Sequence, residues 1–531
     1  MTQHTSRYQS LLRYEWILFY VLVILNLLPA ITVPFFPTPD GPAHLHNVNL
    51  IQQLMSSDSK LLSEYYSFNT ELVPNWGGHF VLLSLNLVFS AALSAKIFIA
   101  LCLFLLPVSF RYCIRKLNSE SLAASYLILP FTYTMTFIMG FYNFHVGLIV
   151  VFFTIGCLID FRENPIRIGK LLLLFFLVTF SYFSHLFAFM SIGLFIFGFT
   201  ALDFLQAFLI KANKKELLKK TAILFGICIF PLLLSLNYFL NLHDDSNKVY
   251  LLKTELLHWL TNARSLICYN SEEESIYTTA IFLALFLLAA IAFYLRGNQL
   301  FIRAEKTESR LRSFFMNVRL QDLLFLMMLA FTFLYFKLPD SDPSAGFVSV
   351  RLNLMIFLFL LLWISGFAFP KWIIRLSVLV VLFAQFSLLQ LHSKTFQHLN
   401  EEISEILVIE RTIRPNTVIL PVDYSGNWLT GHNGNYLGIN KPVVLIENYE
   451  CYNNYFPLYW KNKQQLYEMT NDRWNRLDLI LRETPPEQLR TIDYIFVQGR
   501  KSFPDSVKLI LQENFQLSIQ TENMMLYKAK R

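Results

Sequence analysis

Apolar runs of about 20 residues recur through the first three quarters of this 531-residue chain, beginning with residues 16–36. A helix of that length crosses a hydrocarbon core of about 30 Å. Within such a core every backbone N–H and C=O must be bonded inside the chain, so the runs are read as helices. The composition agrees: 55% of residues are hydrophobic and only 15% charged, against roughly 25% charged in soluble domains. The chain therefore reads as a multi-pass integral membrane protein. Its net charge of +7 does not point to nucleic acid, because the basic residues sit in short clusters between the apolar runs.

Those clusters set the expected topology. The polar N-terminus carries Arg7 and Arg13, and no small-residue cleavage site follows the first run, which reads as a retained span and not a signal peptide. Residues 37–78 hold one basic residue, Lys60, against Asp40, Asp58, Glu64 and Glu71. Residues 79–89 are too short to span and follow Pro74-Asn75-Trp76-Gly77-Gly78; they read as a helix lying in the outer interface. Counting that helix as non-spanning puts Arg111, Arg115 and Lys116, then Arg162, Arg167 and Lys170, then Lys211, Lys214 and Lys215, and finally Arg296 to Arg319 on the inside. The expectation is about eleven spans, among them residues 16–36, 93–112, 122–139 and 276–295, with the N-terminus cytoplasmic and the C-terminus extracytoplasmic, in the plasma (inner) membrane.

After residue 391 the composition changes. Residues 396–413 read as a helix with a charged wet side. Short β-branched runs at 417–422, 442–446 and 494–497 read as strands, residues 466–482 and 505–511 as helices, and 517–519 with 525–527 as an edge hairpin. The expected division is a transmembrane domain, residues 1–391, and a small extracytoplasmic α/β domain, residues 392–531, large enough to bury its own core.

Chemistry-bearing residues gather where the chain should leave the bilayer on the outer side. Thr38-Pro39-Asp40-Gly41-Pro42-Ala43-His44-Leu45-His46-Asn47 follows the first span directly. Asp40 suits a helix N-cap before Gly41-Pro42 and suits equally a base at the membrane rim. His44 and His46 are two residues apart and cannot share a helical face, whereas Asp40 and His44 can. A second outer turn holds Tyr142, Asn143 and His145, a third His185, and Arg351 begins a late span after Asp340 and Asp342. An arginine there needs an anion, and phosphate suits its planar fork. Gly431-His432-Asn433-Gly434-Asn435-Tyr436 and Glu447-Asn448-Tyr449-Glu450 mix hydrogen-bonding and aromatic groups in a way that suits sugars as well as ordinary loops.

The spans hold almost no charge, unlike ion-coupled transporters, and there is neither a phosphate-binding glycine loop with its lysine nor a His-Glu-x-x-His zinc signature. Of six cysteines, Cys268 and Cys451 fall outside the spans, where pairing and two free thiols both remain open.

Pro39-Asp40-Gly41-Pro42-Ala43-His44-Leu45, Gly140-Phe141-Tyr142-Asn143-Phe144 and Asn448-Tyr449-Glu450, on this topology, resemble the GT-C superfamily of integral-membrane glycosyltransferases that use polyprenyl-phosphate sugars. The resemblance implies that Asp40 is the catalytic base on an acceptor hydroxyl and that a cation or basic residue, for which Arg351 is the candidate, stabilises the lipid-phosphate leaving group; His44, Asn143, His145 and His185, expected on the same face of the membrane, are the candidate substrate-binding residues. Its partners would be a polyprenyl-phosphate-linked sugar, a cell-envelope glycan or glycolipid acceptor, and membrane lipids. Gly41 stands where many members carry a second acid, and Asn143 and His145 where many carry an acid in the second outer loop. The sequence thus reads no metal-ligand set, although the family admits a divalent cation. The alternative reading is a non-catalytic polytopic protein that binds or translocates a lipid-linked glycan.

Overall fold

The computed structural model describes residues 2–56, 59–211, 214–241, 248–304, 310–341, 346–453, 455–461, 476–499 and 503–530. Asp342, Lys306 and residues 466–475 of the expected helix lie outside them. Among the described residues, seven helices are long and apolar enough to cross a membrane: Tyr14–Thr32, Ala91–Leu117, Tyr142–Glu163, Leu186–Leu209, Lys215–Leu240, Ser271–Leu300 and Lys371–Glu410. Ile168–Ser184, Leu320–Tyr335 and Val348–Ile364 are shorter apolar helices. The chain is an integral membrane protein with a small sheet region near its C-terminus.

One expected span takes another form. Residues 122–139 are not an α-helix but a 3-10 helix, Ser119–Thr132, followed by the four-residue helix Met135–Ile138. Ser121 leaves helical geometry and Pro130 lies inside the 3-10 stretch. At about 2.0 Å per residue, its 14 residues reach roughly as far as a longer α-helix.

The chain forms two compact units that do not follow its order. One comprises Met1–Leu28, Leu101–Phe137 and Phe144–His392; the other Pro29–Ala100, Ile138–Asn143 and Ser393–Arg531. In the first unit polar side chains are paired with one another. Asn26 donates to Thr132 Oγ1 at 2.9 Å and accepts from Gln385 at 2.7 Å, all three being buried. At the basic clusters, Arg111 meets Glu15, Arg162 meets Asp203 and Arg296 meets Asp322. These pairs leave few uncompensated charges near the apolar helices.

The second unit is built on a five-stranded sheet in the order β3-β2-β5-β7-β6, where β2 is Thr417–Asp423, β3 Val443–Leu445, β5 Tyr494–Gln498, β6 Phe515–Gln520 and β7 Met524–Ala529. β2 runs parallel to β3 and β5, and β7 is antiparallel to β5 and to the edge strand β6. The fully buried β2 and β5 read as continuous apolar runs, as central parallel strands do. A separate pair joins β1, Tyr66–Phe68, antiparallel to β4, Leu458–Trp460. Leu50, Ile51, Leu62 and Tyr66 share one core with Val418, Leu420, Val444, Ile446 and Ile495. The segment after the first span is therefore part of the sheet's own core. The helix expected at 396–413 is the continuation of a single helix, Lys371–Glu410.

Candidate active site

Asp40 lies in the second unit, just before the helix Gly41–Ser56. The capping expected of it is done by Thr38, whose hydroxyl accepts the Gly41 N–H at 3.0 Å and meets the Tyr142 hydroxyl at 3.0 Å. That releases the Asp40 carboxylate for other work. Its backbone is pinned by the Asp40 N–H donating to the Met139 carbonyl at 3.1 Å. The next residue, Gly140, has φ +92°, and a Cβ there would stand 2.9 Å from both Asp40 Cβ and the Gly41 nitrogen. Only glycine permits that backbone and that approach. The Gly140-Phe141-Tyr142-Asn143 turn and the Asp40 turn are thus one packed structure.

The Asp40 side chain keeps 17% of its surface exposed, and His432 Nε2 stands 4.0 Å from its Oδ1. His432 Nδ1 is hydrogen-bonded to Glu447, and its ring lies 4.5 Å from that of Tyr449 at 30°. Asn435 steadies this pair by donating to Glu447 Oε2 at 3.2 Å and to the His432 carbonyl at 3.1 Å. Burial pushes the Asp40 carboxyl above the usual carboxylate range, against the opposing pull of His432 and His44. Burial alone would lower His432, but Glu447, joined by Asp40 and Glu450, lifts the imidazole to about 9. The result is a carboxylate with raised proton affinity beside an imidazolium whose far nitrogen is anchored by a second carboxylate.

Behind Asp40 lies a buried cluster. His44 Nδ1 is 2.6 Å from Glu450 Oε1, and His79 Nε2 is 2.9 Å from Glu450 Oε2. His44 Nε2 meets the Gly140 carbonyl at 2.9 Å. Despite burial, His44 and His79 hold Glu450 down at about 2. Glu450 is placed by the asparagine before it: Asn448 and Asn47 exchange two amide hydrogen bonds of 3.0 and 2.9 Å with both side chains buried. Trp460 donates to the Asn448 carbonyl at 3.1 Å. A cleft lined by Phe35, Phe36, Leu45, Leu82, Phe98 and Tyr142 opens at Gly41, next to Asp40.

The expected site residues are divided. Asp40, His44 and Asn143 belong to this unit; His145, His185 and Arg351 belong to the other. Asn143 Oδ1 accepts the Gly78 N–H at 2.6 Å and so fixes the start of the helix Gly77–Asn86, which carries the inward-facing His79. His145 is buried, its ring 4.4 Å from that of Phe137. His185 caps the helix Leu186–Leu209 by accepting the Phe187 N–H at 3.1 Å. Arg351 lies within electrostatic reach of His185. Cys268 and Cys451 are both free thiols. His79, His432, Glu447 and Glu450 were not singled out as site residues from the sequence. The density of polar groups around 431–436 and 447–450 was the signal for the last three, with the Asn448-Tyr449-Glu450 run a second one for Glu450.

Among the described residues, two groups could hold a metal: His44, His79 and Glu450, and in the first unit Cys268, Glu274 and His392. In the latter, Glu274 already accepts the backbone N–H groups of Cys268, Tyr269 and Asn270, which gives it a structural task as a helix cap.

No family model matches the chain, and no curated protein matches it. Two solved structures are similar to it along nearly its whole length. The crystal structure of ArnT from Cupriavidus metallidurans bound to undecaprenyl phosphate is 9% identical, covers 97% of this chain and 98% of its own, and superposes with a TM-score of 0.49. ArnT from Cupriavidus metallidurans in the apo state is 9% identical, covers 96% and 97%, and gives 0.39. At this identity and these scores the likeness assigns neither an activity nor a residue's role.

Proposed function

We propose that this protein is a membrane glycosyltransferase of the GT-C type, which moves a sugar from a polyprenyl-phosphate donor to a cell-envelope glycan or glycolipid acceptor, with its C-terminal unit outside the plasma membrane. The observation that carries the reading is the Asp40 carboxylate. It is part-exposed, its proton affinity is raised by burial, and it stands 4.0 Å from a cationic imidazole at the edge of an apolar cleft. A general base works best when its pKa approaches the operating pH, and burial moves Asp40 in that direction.

In this mechanism Asp40 takes the proton from the acceptor hydroxyl as that oxygen attacks the anomeric carbon. The bond from that carbon to the phosphate oxygen breaks, and the electron pair leaves with the polyprenyl phosphate. The His432 imidazolium, oriented by Glu447, places positive charge where negative charge develops, the kind of fixed electrostatic help that contributes most in a water-poor site. Arg351 is retained as the candidate partner of the leaving phosphate on the resemblance alone.

The deciding experiment compares wild type with Asp40→Asn in detergent, using a labelled panel of polyprenyl-phosphate sugars. Transfer or donor hydrolysis by wild type, abolished in a folded Asp40→Asn, supports the enzyme. Equal donor binding without turnover in both proteins refutes it and favours a carrier of lipid-linked glycan.

A further inference from the structure

We infer that His44, His79 and Glu450 form a binding site for one divalent transition-metal ion of the zinc class. The donor atoms lie within 4.8 Å of one another, and the three side chains are no more than 6% exposed. The two imidazole rings stand 4.8 Å apart and nearly perpendicular, at 86°, so they converge on the same carboxylate from different directions. The hydrogen bonding of His44 fits ligation. The Gly140 carbonyl can only accept, so the proton of a neutral His44 sits on Nε2 and its Nδ1 lone pair faces Glu450. A ligand histidine whose other nitrogen donates to a backbone carbonyl is the usual outer-shell arrangement at zinc.

A second observation concerns the unpartnered atoms. His44 Nδ1 and Glu450 Oε1 are only 2.6 Å apart, yet neither atom has a hydrogen bond of acceptable geometry and both are fully buried. A proton on His44 Nδ1 is poorly shared at that angle, whereas a metal ion bound by both atoms needs no linear contact between them. Bonds of about 2.0 Å in a tetrahedral site set donors about 3.3 Å apart, so His44 Nδ1 and Glu450 Oε1 open by roughly 0.7 Å and the more distant donors close in, which rotation of the three side chains can supply.

Two nitrogens and one carboxylate oxygen are the ligand set of zinc sites that keep a position open. Magnesium and calcium prefer oxygen throughout. Phe456 closes one side, 6.2 Å from the His44 ring and 5.6 Å from that of His79, and such an apolar wall strengthens the ion's hold. The inference stands apart from sugar transfer, because its readout is metal itself.

The test uses the full-length protein in detergent, stripped by a chelator and titrated with Zn²⁺ against a chromophoric competitor, with metal content measured after gel filtration. Wild type is expected to hold one zinc per chain. His79→Ala and Glu450→Gln should each weaken it by more than the ~10–100-fold that loss of an outer-shell partner costs, while Cys268→Ser changes nothing. Zinc should raise the thermal midpoint of wild type but not of His79→Ala, which also decides the matter if Glu450→Gln does not fold. Cobalt in place of zinc should give tetrahedral bands without thiolate charge transfer. Retention of no zinc by wild type, unchanged affinity in folded His79→Ala, or loss confined to Cys268→Ser would each overturn the site.

Discussion

Replacing Glu447 by Gln keeps the side chain's shape and one hydrogen-bond acceptor but removes the charge that sustains the His432 imidazolium. Glu447 is the largest influence opposing burial at His432, which it helps to lift from 6.5 to about 9. In Glu447→Gln burial is opposed only by the weaker pull of Asp40 and Glu450, and His432 becomes neutral near pH 7. Two consequences follow, with opposite dependence on pH. For folding, a histidine raised in the native state contributes stability that is fully present below its unfolded value of 6.5 and is lost as pH rises through about 9. At about 1.4 kcal/mol per tenfold change in affinity the ceiling is ~3 kcal/mol. With 31% of the side chain exposed, screening reduces this to about 1–2 kcal/mol. Wild type should therefore lose stability between pH 6.5 and 9 and the variant should not.

For catalysis the sign reverses. The His432 charge holds Asp40 ionised against burial. Unit charges 4.0 Å apart attract by about 1 kcal/mol in water and about 4 kcal/mol at an effective dielectric of 20. Loss of even ~1 kcal/mol lowers the ionised fraction about fivefold on the acid side, so the acid limb of turnover should move to higher pH. The assay is donor turnover from pH 5 to 9, with thermal unfolding of the same samples as the fold control. A folded Glu447→Gln whose acid limb coincides with that of wild type would refute the coupling between His432 and Asp40.

Three further outcomes are expected. Gly140→Ala must hold a side chain at φ +92° and 2.9 Å from Asp40 Cβ; about 2–4 kcal/mol of strain and overpacking should lower the thermal midpoint and turnover together. Asn448→Ala strands the buried Asn47 amide and should cost about 2–4 kcal/mol, with a double-mutant cycle against Asn47→Ala showing coupling of about 1–2 kcal/mol; additive losses would deny the reciprocal pair. Asn26→Leu leaves the Gln385 amide without its acceptor among the apolar helices, and should lower stability by about 1–2 kcal/mol as read by thermal unfolding in detergent.

Much of this architecture was legible in residue order because the bilayer imposes a simple rule: a segment that crosses it must be apolar and internally bonded. Residues 16–36, 93–112 and 276–295 announce helices by that rule alone, and the β-branched runs at 417–422 and 494–497 announce buried strands by another. The rule reads hydrophobicity and is blind to pitch, so residues 122–139 were expected as an α-helix where Ser119–Thr132 winds as a tighter 3-10 helix. Asp40 stood out because a carboxylate directly after a span is costly to place idly.

Its surroundings did not stand out. His432, Glu447 and Glu450 come to Asp40 and His44 from hundreds of residues away, and His79 comes from a separate helix, Gly77–Asn86. Local pattern left Asp40 open between helix capping and a base, and only the fold shows Thr38 accepting the Gly41 N–H. Nor could local pattern reveal that the segment after the first span buries Leu50, Ile51, Leu62 and Tyr66 in the same core as β2 and β5. Apolar pattern determines which residues must leave water and is therefore carried by the chain itself. Which carboxylate faces which imidazole, and hence every shifted proton affinity at the site, depends on distances of a few ångströms between remote segments, and those exist only once the core has packed.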